Sequence, residues 1–163
     1  MRLAGDLEGV DALILPGGES TTMAHLMEPA LKQSIQERTA AGMPVLGTCA
    51  GMILMARAIQ DGRPDQEPLK LMDIGVRRNA YGRQIDSFEA DVESAAIGGA
   101  APAVFIRAPQ LTDRAADVEE LARHRDQPVA LRQGNRLALA FHPELTPDRR
   151  WHQYFLTFDG VRR

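Results

Sequence analysis

One cysteine, two lysines and no long apolar run limit what this 163-residue chain can be. A lone cysteine excludes an internal disulfide, so Cys49 is either a small buried apolar residue or a working thiol. No apolar stretch approaches the roughly 18 residues of a membrane span, and Met1 to Gly9 lack the apolar core of a secretory signal. No membrane partner is therefore expected, and the cytoplasm is the expected location. Lys32 and Lys70 are the only lysines, the formal net charge is -3, and no basic run is present, so no nucleic-acid partner is expected. The chain has no internal repeat, low-complexity tract, P-loop or dinucleotide fingerprint. His25, His124 and His152 have no partner at metal-ligand spacing, so neither a metal nor another cofactor is expected.

What is present is ordinary for a soluble domain: 44% hydrophobic and 25% charged residues argue against disorder. The length suits one domain with a substantial core, spanning residues 1–163. Asp11 to Leu15 reads as a buried strand ended by Pro16-Gly17-Gly18. Pro29 opens a helix with Leu31, Ile35 and Arg38 at helical spacing, which Gly42 stops. Pro44 to Gly47 is a second strand, followed by the turn Thr48-Cys-Ala-Gly51 and a helix over Met52 to Ile59. Asp61 to Pro68 is polar and reads as a surface loop carrying no motif. Short strands are predicted at Ile74 to Arg77, Phe88 to Val92, Val104 to Ile106, Val129 to Arg132 and Leu137 to Phe141, with a hairpin turn at Gly134-Asn135. Thr146-Pro147 is expected to cap a final helix through Trp151 and Phe155. The class is α/β, with a parallel sheet flanked by helices and an antiparallel extension.

Three motifs carry chemistry. Gly47-Thr-Cys-Ala-Gly51, between a strand and a helix, has the form of a nucleophile elbow, in which small flanking residues allow a strained turn. A cysteine at a helix N-terminus is expected to have its pKa lowered toward thiolate, with the Ala50 N–H placed to face an oxyanion. By itself the motif fits an inert buried cysteine between packing glycines equally well. Phe141-His-Pro-Glu144 places an imidazole two residues before a carboxylate that can orient it. Such a triplet alone is commonly a loop with two solvated side chains, but with the elbow it gives the chain order of a Cys-His-Glu hydrolase. Pro16-Gly-Gly-Glu-Ser20 is either a plain turn or a concavity of exposed N–H groups able to complete an oxyanion hole. Arg78 and Arg107 sit beside predicted strands, where a guanidinium suits an amino-acid carboxylate.

These residues resemble the class I glutamine amidotransferases. More narrowly, five motifs in order are similar to the PdxT/SNO glutaminase subunits of pyridoxal 5′-phosphate synthase: Leu15-Pro-Gly-Gly-Glu-Ser-Thr-Thr22, Gly47-Thr-Cys-Ala-Gly-Met52, Arg78-Asn-Ala-Tyr-Gly-Arg-Gln-Ile-Asp-Ser-Phe88, Phe105-Ile-Arg-Ala-Pro109 and Phe141-His-Pro-Glu-Leu-Thr146. The resemblance implies a flavodoxin-like three-layer sandwich. It implies a triad of Cys49 as nucleophile, His142 as proton carrier and Glu144 as its orienter. It also implies oxyanion donors at Gly18 and Ala50, and L-glutamine contacts at Gly18, Glu19, Ser20, Arg78, Ile106 and Arg107. The implied activity is hydrolysis of L-glutamine to glutamate and ammonia, and the ammonia passes to a (β/α)₈-barrel lyase subunit for vitamin B6 synthesis.

The family pattern also has a strand, a glutamine-containing loop and a helix ahead of the segment matching Asp6 to Leu15. This sequence does not contain that βα unit, so the resemblance implies an N-terminally truncated domain. The departure leaves a second reading, a non-catalytic or regulatory paralogue that docks on the synthase without making ammonia. A cysteine peptidase would share the elbow, but it would not explain Gly17-Gly18 or the Arg78 and Arg107 motifs.

Overall fold

The computed structural model describes residues 3–63, 65–78 and 87–161. A 3-10 turn, Ala4–Leu7, leads into strand β1, Leu13–Leu15. Helix α1, Ser20–Leu26, and helix α2, Pro29–Ala40, follow. Strand β2, Val45–Thr48, then runs into helix α3, Ala50–Met55, with Cys49 at the junction. β1 and β2 pair in parallel, Ile14 opposite Leu46. Among the described residues no helix is long and apolar enough to cross a membrane.

The remaining strands are β3, Ala56–Gln60, β4, Met72–Arg77, β5, Ser87–Ser94, β6, Gly99–Ile106, β7, Gln110–Arg114, β8, Glu119–His124, β9, Gln127–Gln133, and β10, Arg136–Leu139. Among the described residues they form a five-stranded sheet ordered β1-β2-β10-β9-β8, a three-stranded sheet β3-β4-β7 and the hairpin β5-β6. β10 adds in parallel to β2, whereas β9 and β8 are antiparallel, which is the parallel centre with an antiparallel extension. The predicted turn is in place: Gln133 pairs with Arg136 across Gly134-Asn135, and Gly134 has the positive φ of 58° that such a turn favours. Helix α4, Arg150–Phe155, closes the described chain, burying Trp151 and Phe155.

The central strands are largely apolar because both of their faces are covered. Val45, Leu46, Leu137, Ala138 and Leu139 are fully buried, and α3 packs on β2, β1 and β10 with every residue buried.

Several elements differ from expectation. The helix predicted over Met52 to Ile59 ends at Met55, because Ala56 to Gln60 pair with β4, Ile59 opposite Val76; strand pairing overrides local helix preference. Helix α1 was legible only as a turn, yet the Glu19 carboxylate caps it by accepting from the N–H groups of Thr21 and Thr22. Thr146 does not cap the last helix. Its hydroxyl donates to the carbonyls of Pro143 and Asp148, while Asp148 Oδ1 accepts the Arg150 N–H at 2.9 Å. β7 and β8 are polar and partly exposed, and their composition conceals them.

Candidate active site

The three motifs converge at the carboxyl ends of β1, β2 and β10. Cys49 follows β2 with φ 48° and ψ -103°, a positive-φ backbone that a non-glycine residue rarely adopts. Its N–H donates to the Leu139 carbonyl at 2.8 Å, locking the turn to β10. The flanking glycines are required by contact. A methyl group at Gly51 would lie 1.9 Å from the Leu15 carbonyl oxygen, and one at Gly47 would lie 2.4 Å from Met55 Sδ. The turn therefore exists only because two side chains are missing.

His142 follows β10. Its N–H donates to the Val104 carbonyl at 2.8 Å, and Nδ1 stands 2.7 Å from Glu144 Oε1. The carboxylate is thus placed to accept an Nδ1–H and leave Nε2 free to take a proton. The ring also lies over the β1 loop: a methyl group at Gly17 would stand 2.2 Å from Cε1. Gly18 beside it has φ 139°, open to glycine alone.

A cavity of about 350 Å³ is lined by Gly18, Glu19, Ser20, Cys49, Ala50, Ile53, Arg78, Ile106, Arg107 and His142. Apart from Glu144, which touches His142 from behind, every candidate residue lines it. Glu19 pairs with Arg78 Nη2, and the Arg78 Nη1–H donates to Thr21 Oγ1 at 2.6 Å. Arg107 leaves β6 with φ 45°. Residues 79–86 of the motif that starts at Arg78 lie outside the described residues.

The electrostatics correct one expectation. The thiol of Cys49 is not lowered toward thiolate; burial pushes it up, from an ordinary value of 9.0 to about 11. The Ala50 N–H and the Arg107 charge favour the thiolate, while Glu144 opposes it, and desolvation outweighs them. In keeping with a protonated sulfur, Cys49 Sγ donates to the Ile106 carbonyl at 3.6 Å. Glu19 is shifted the other way, to about 2, chiefly because the Thr22 N–H bonds its carboxylate.

The model of the SNO glutamine amidotransferase family matches residues 1–158. The chain belongs to this family. Its relatives include the pyridoxal 5′-phosphate synthase subunit PdxT of Mycobacteroides abscessus, 53% identical over 163 residues, with 99% of this chain and 83% of the relative covered. The PdxT of Roseiflexus castenholzii is 52% identical over 159 residues, covering 96% of this chain and 84% of that protein. A crystal structure of a glutamine amidotransferase superposes with a TM-score of 0.89 at 47% identity, covering 96% of this chain and 82% of that one. A glutamine amidotransferase from Thermotoga maritima shares the fold, with a TM-score of 0.58 at 18% identity over 92% of this chain and 62% of that one. The architecture of this family member is accordingly the flavodoxin-like α/β class of the class I amidotransferases.

Ile53 escaped the sequence reading. It lies in the first turns of α3 amid other apolar residues, and nothing in the sequence distinguishes a cavity-lining side chain there from a core one. Among the described residues no cluster of three or more His, Cys, Asp or Glu side chains is arranged to hold a metal ion.

Proposed function

We propose that this chain hydrolyses L-glutamine to L-glutamate and ammonia as the glutaminase subunit of a pyridoxal 5′-phosphate synthase, with Cys49, His142 and Glu144 as its triad. The observation that carries the reading is the cavity itself, which gathers a cysteine on a strained elbow, an imidazole backed by a carboxylate, and two arginines.

His142 Nε2 takes the Cys49 proton as sulfur attacks the side-chain amide carbon. Glu144 offsets the charge that forms on the imidazole. The N–H groups of Gly18 and Ala50 face the oxyanion. Protonated His142 then returns its proton to the departing nitrogen, and ammonia leaves. Water, deprotonated by the same imidazole, cleaves the glutamyl thioester, giving glutamate and the free thiol. Arg78 and Arg107, with Glu19, Ser20 and Ile106, hold the amino-acid end of glutamine. The partner is a lyase subunit with a (β/α)₈ barrel, which consumes the ammonia. A thiol held near 11 and bonded to the Ile106 carbonyl suits a site that is quiet until that partner docks.

The test is ammonia release from glutamine with and without the cognate lyase subunit. Release with the partner, lost by about a thousandfold or more in Cys49→Ala, is the expected result. Synthase binding without any ammonia would instead establish a non-catalytic, regulatory chain.

A further inference from the structure

Gln66 lies outside the cavity and outside every motif, in the stretch after β3 that reads as a solvated loop. Yet it is 6% exposed, and both ends of its amide are engaged. Its Nε2 donates to Ser20 Oγ at 2.9 Å, and its Oε1 accepts from Thr21 Oγ1 and from Arg78 Nη1, each at 3.2 Å. Ser20 and Arg78 are cavity walls, and Thr21 is a second acceptor for the same guanidinium. Glu19 fixes the other terminal nitrogen of Arg78 and caps α1. One buried amide thus joins the first turn of α1 to the arginine that follows β4.

We infer that Gln66 is a positioning residue for substrate recognition, holding Arg78 and Ser20 in the geometry that receives the α-carboxylate of glutamine. The inference rests on the proposed glutaminase function. An arginine side chain is mobile, and it binds a carboxylate best when its plane is fixed beforehand. Two acceptors on Nη1 and one on Nη2 fix that plane, leaving further N–H groups for the ligand. Without Gln66 one of those restraints is lost, and Ser20 Oγ loses its buried donor, so its hydroxyl is free to reorient.

The test is a double-mutant cycle on glutamine affinity, measured by calorimetry on the complex with the lyase subunit in a Cys49→Ala background, where no turnover interferes. Gln66→Met keeps the side-chain volume and removes its hydrogen bonds; it should weaken glutamine about tenfold. In an Arg78→Ala background the same change should cost clearly less, about twofold, because only the Ser20 arm of its action is then left. In the active enzyme Gln66→Met should raise KM by a similar factor and change kcat less than about twofold. Gln66→Asn, which withdraws the amide without burying an apolar tip, should give the same pattern where the methionine variant folds poorly. Unchanged affinity, an equal loss in both backgrounds, or a fall in kcat at constant KM would each overturn the positioning role. If the Cys49→Ala complex with Gln66 intact fails to bind glutamine, the glutaminase reading itself falls, and this inference with it.

Discussion

The two walls of the cavity are held in different ways. On the side of β1, β2 and β10, position is set by contacts with no slack: Gly51 against the Leu15 carbonyl, Gly47 against Met55, and Gly17 against the ring of His142. On the side of β4 and β6, it is set by a polar web in which Arg78 reaches Glu19, Thr21 and Gln66. The first wall places the reacting atoms and tolerates no added volume. The second orients a long charged side chain and depends on donors and acceptors staying matched. The division suits the chemistry, since bond making is sensitive to small displacements while carboxylate recognition is mainly electrostatic.

The largest loss is expected at Gly17. Gly17→Ala should lower kcat about a hundredfold with KM little changed, because the added methyl occupies the place of His142 Cε1. A variant with normal kcat would show that this wall has slack. On the other wall Arg78→Lys should raise KM about tenfold and spare kcat, since a lysine keeps the charge but not the fork; a loss confined to kcat would merge the two walls into one.

Glu144→Gln should move two readouts in opposite directions. The Glu144 charge raises the Cys49 pKa, so its removal should increase the thiolate fraction and speed iodoacetamide alkylation a few-fold at any fixed pH below about 11. Ammonia release should slow in the same variant, because His142 loses its partner. Slower alkylation would contradict the charge relation.

The smallest effect concerns Glu19, whose folded-state pKa of about 2 lies below its ordinary 4.5. Its stabilising contribution is complete above pH 4.5 and disappears as pH falls toward 2. The side chain is 47% exposed, so the effect is modest. Thermal melts in acid should show a shallower pH slope for Glu19→Gln than for the unaltered chain.

The parts legible in the sequence were those written in small residues and short motifs. Cys49 between two glycines, and His142 before Glu144, announce themselves by residue type and chain order. The fold's centre was equally plain, since β2 and β10 are apolar runs bounded by turn residues. Local composition misled where pairing partners decided the outcome. Ala56 to Gln60 prefer helix yet pair with β4, and the polar strands β7 and β8 carry no alternating pattern to betray them. Burial misled in the same way at two residues. Nothing in the sequence states that Cys49 loses enough water to raise its thiol, or that Gln66, in a loop of charged and proline residues, is enclosed.

The parallel pairing of β2 with β10 has a consequence for how the molecule is made. The elbow backbone at Cys49 and the thiol above it find their partners late: Leu139, more than half the chain downstream, accepts the N–H, and the Ile106 carbonyl accepts the thiol. Until then a nascent chain carries its one cysteine in a solvent-exposed segment, with an ordinary thiol acidity near 9.0 and no burial to suppress it. The thiol is thus more open to oxidants during synthesis than after folding, and a pause on the ribosome before β10 emerges would lengthen that exposure.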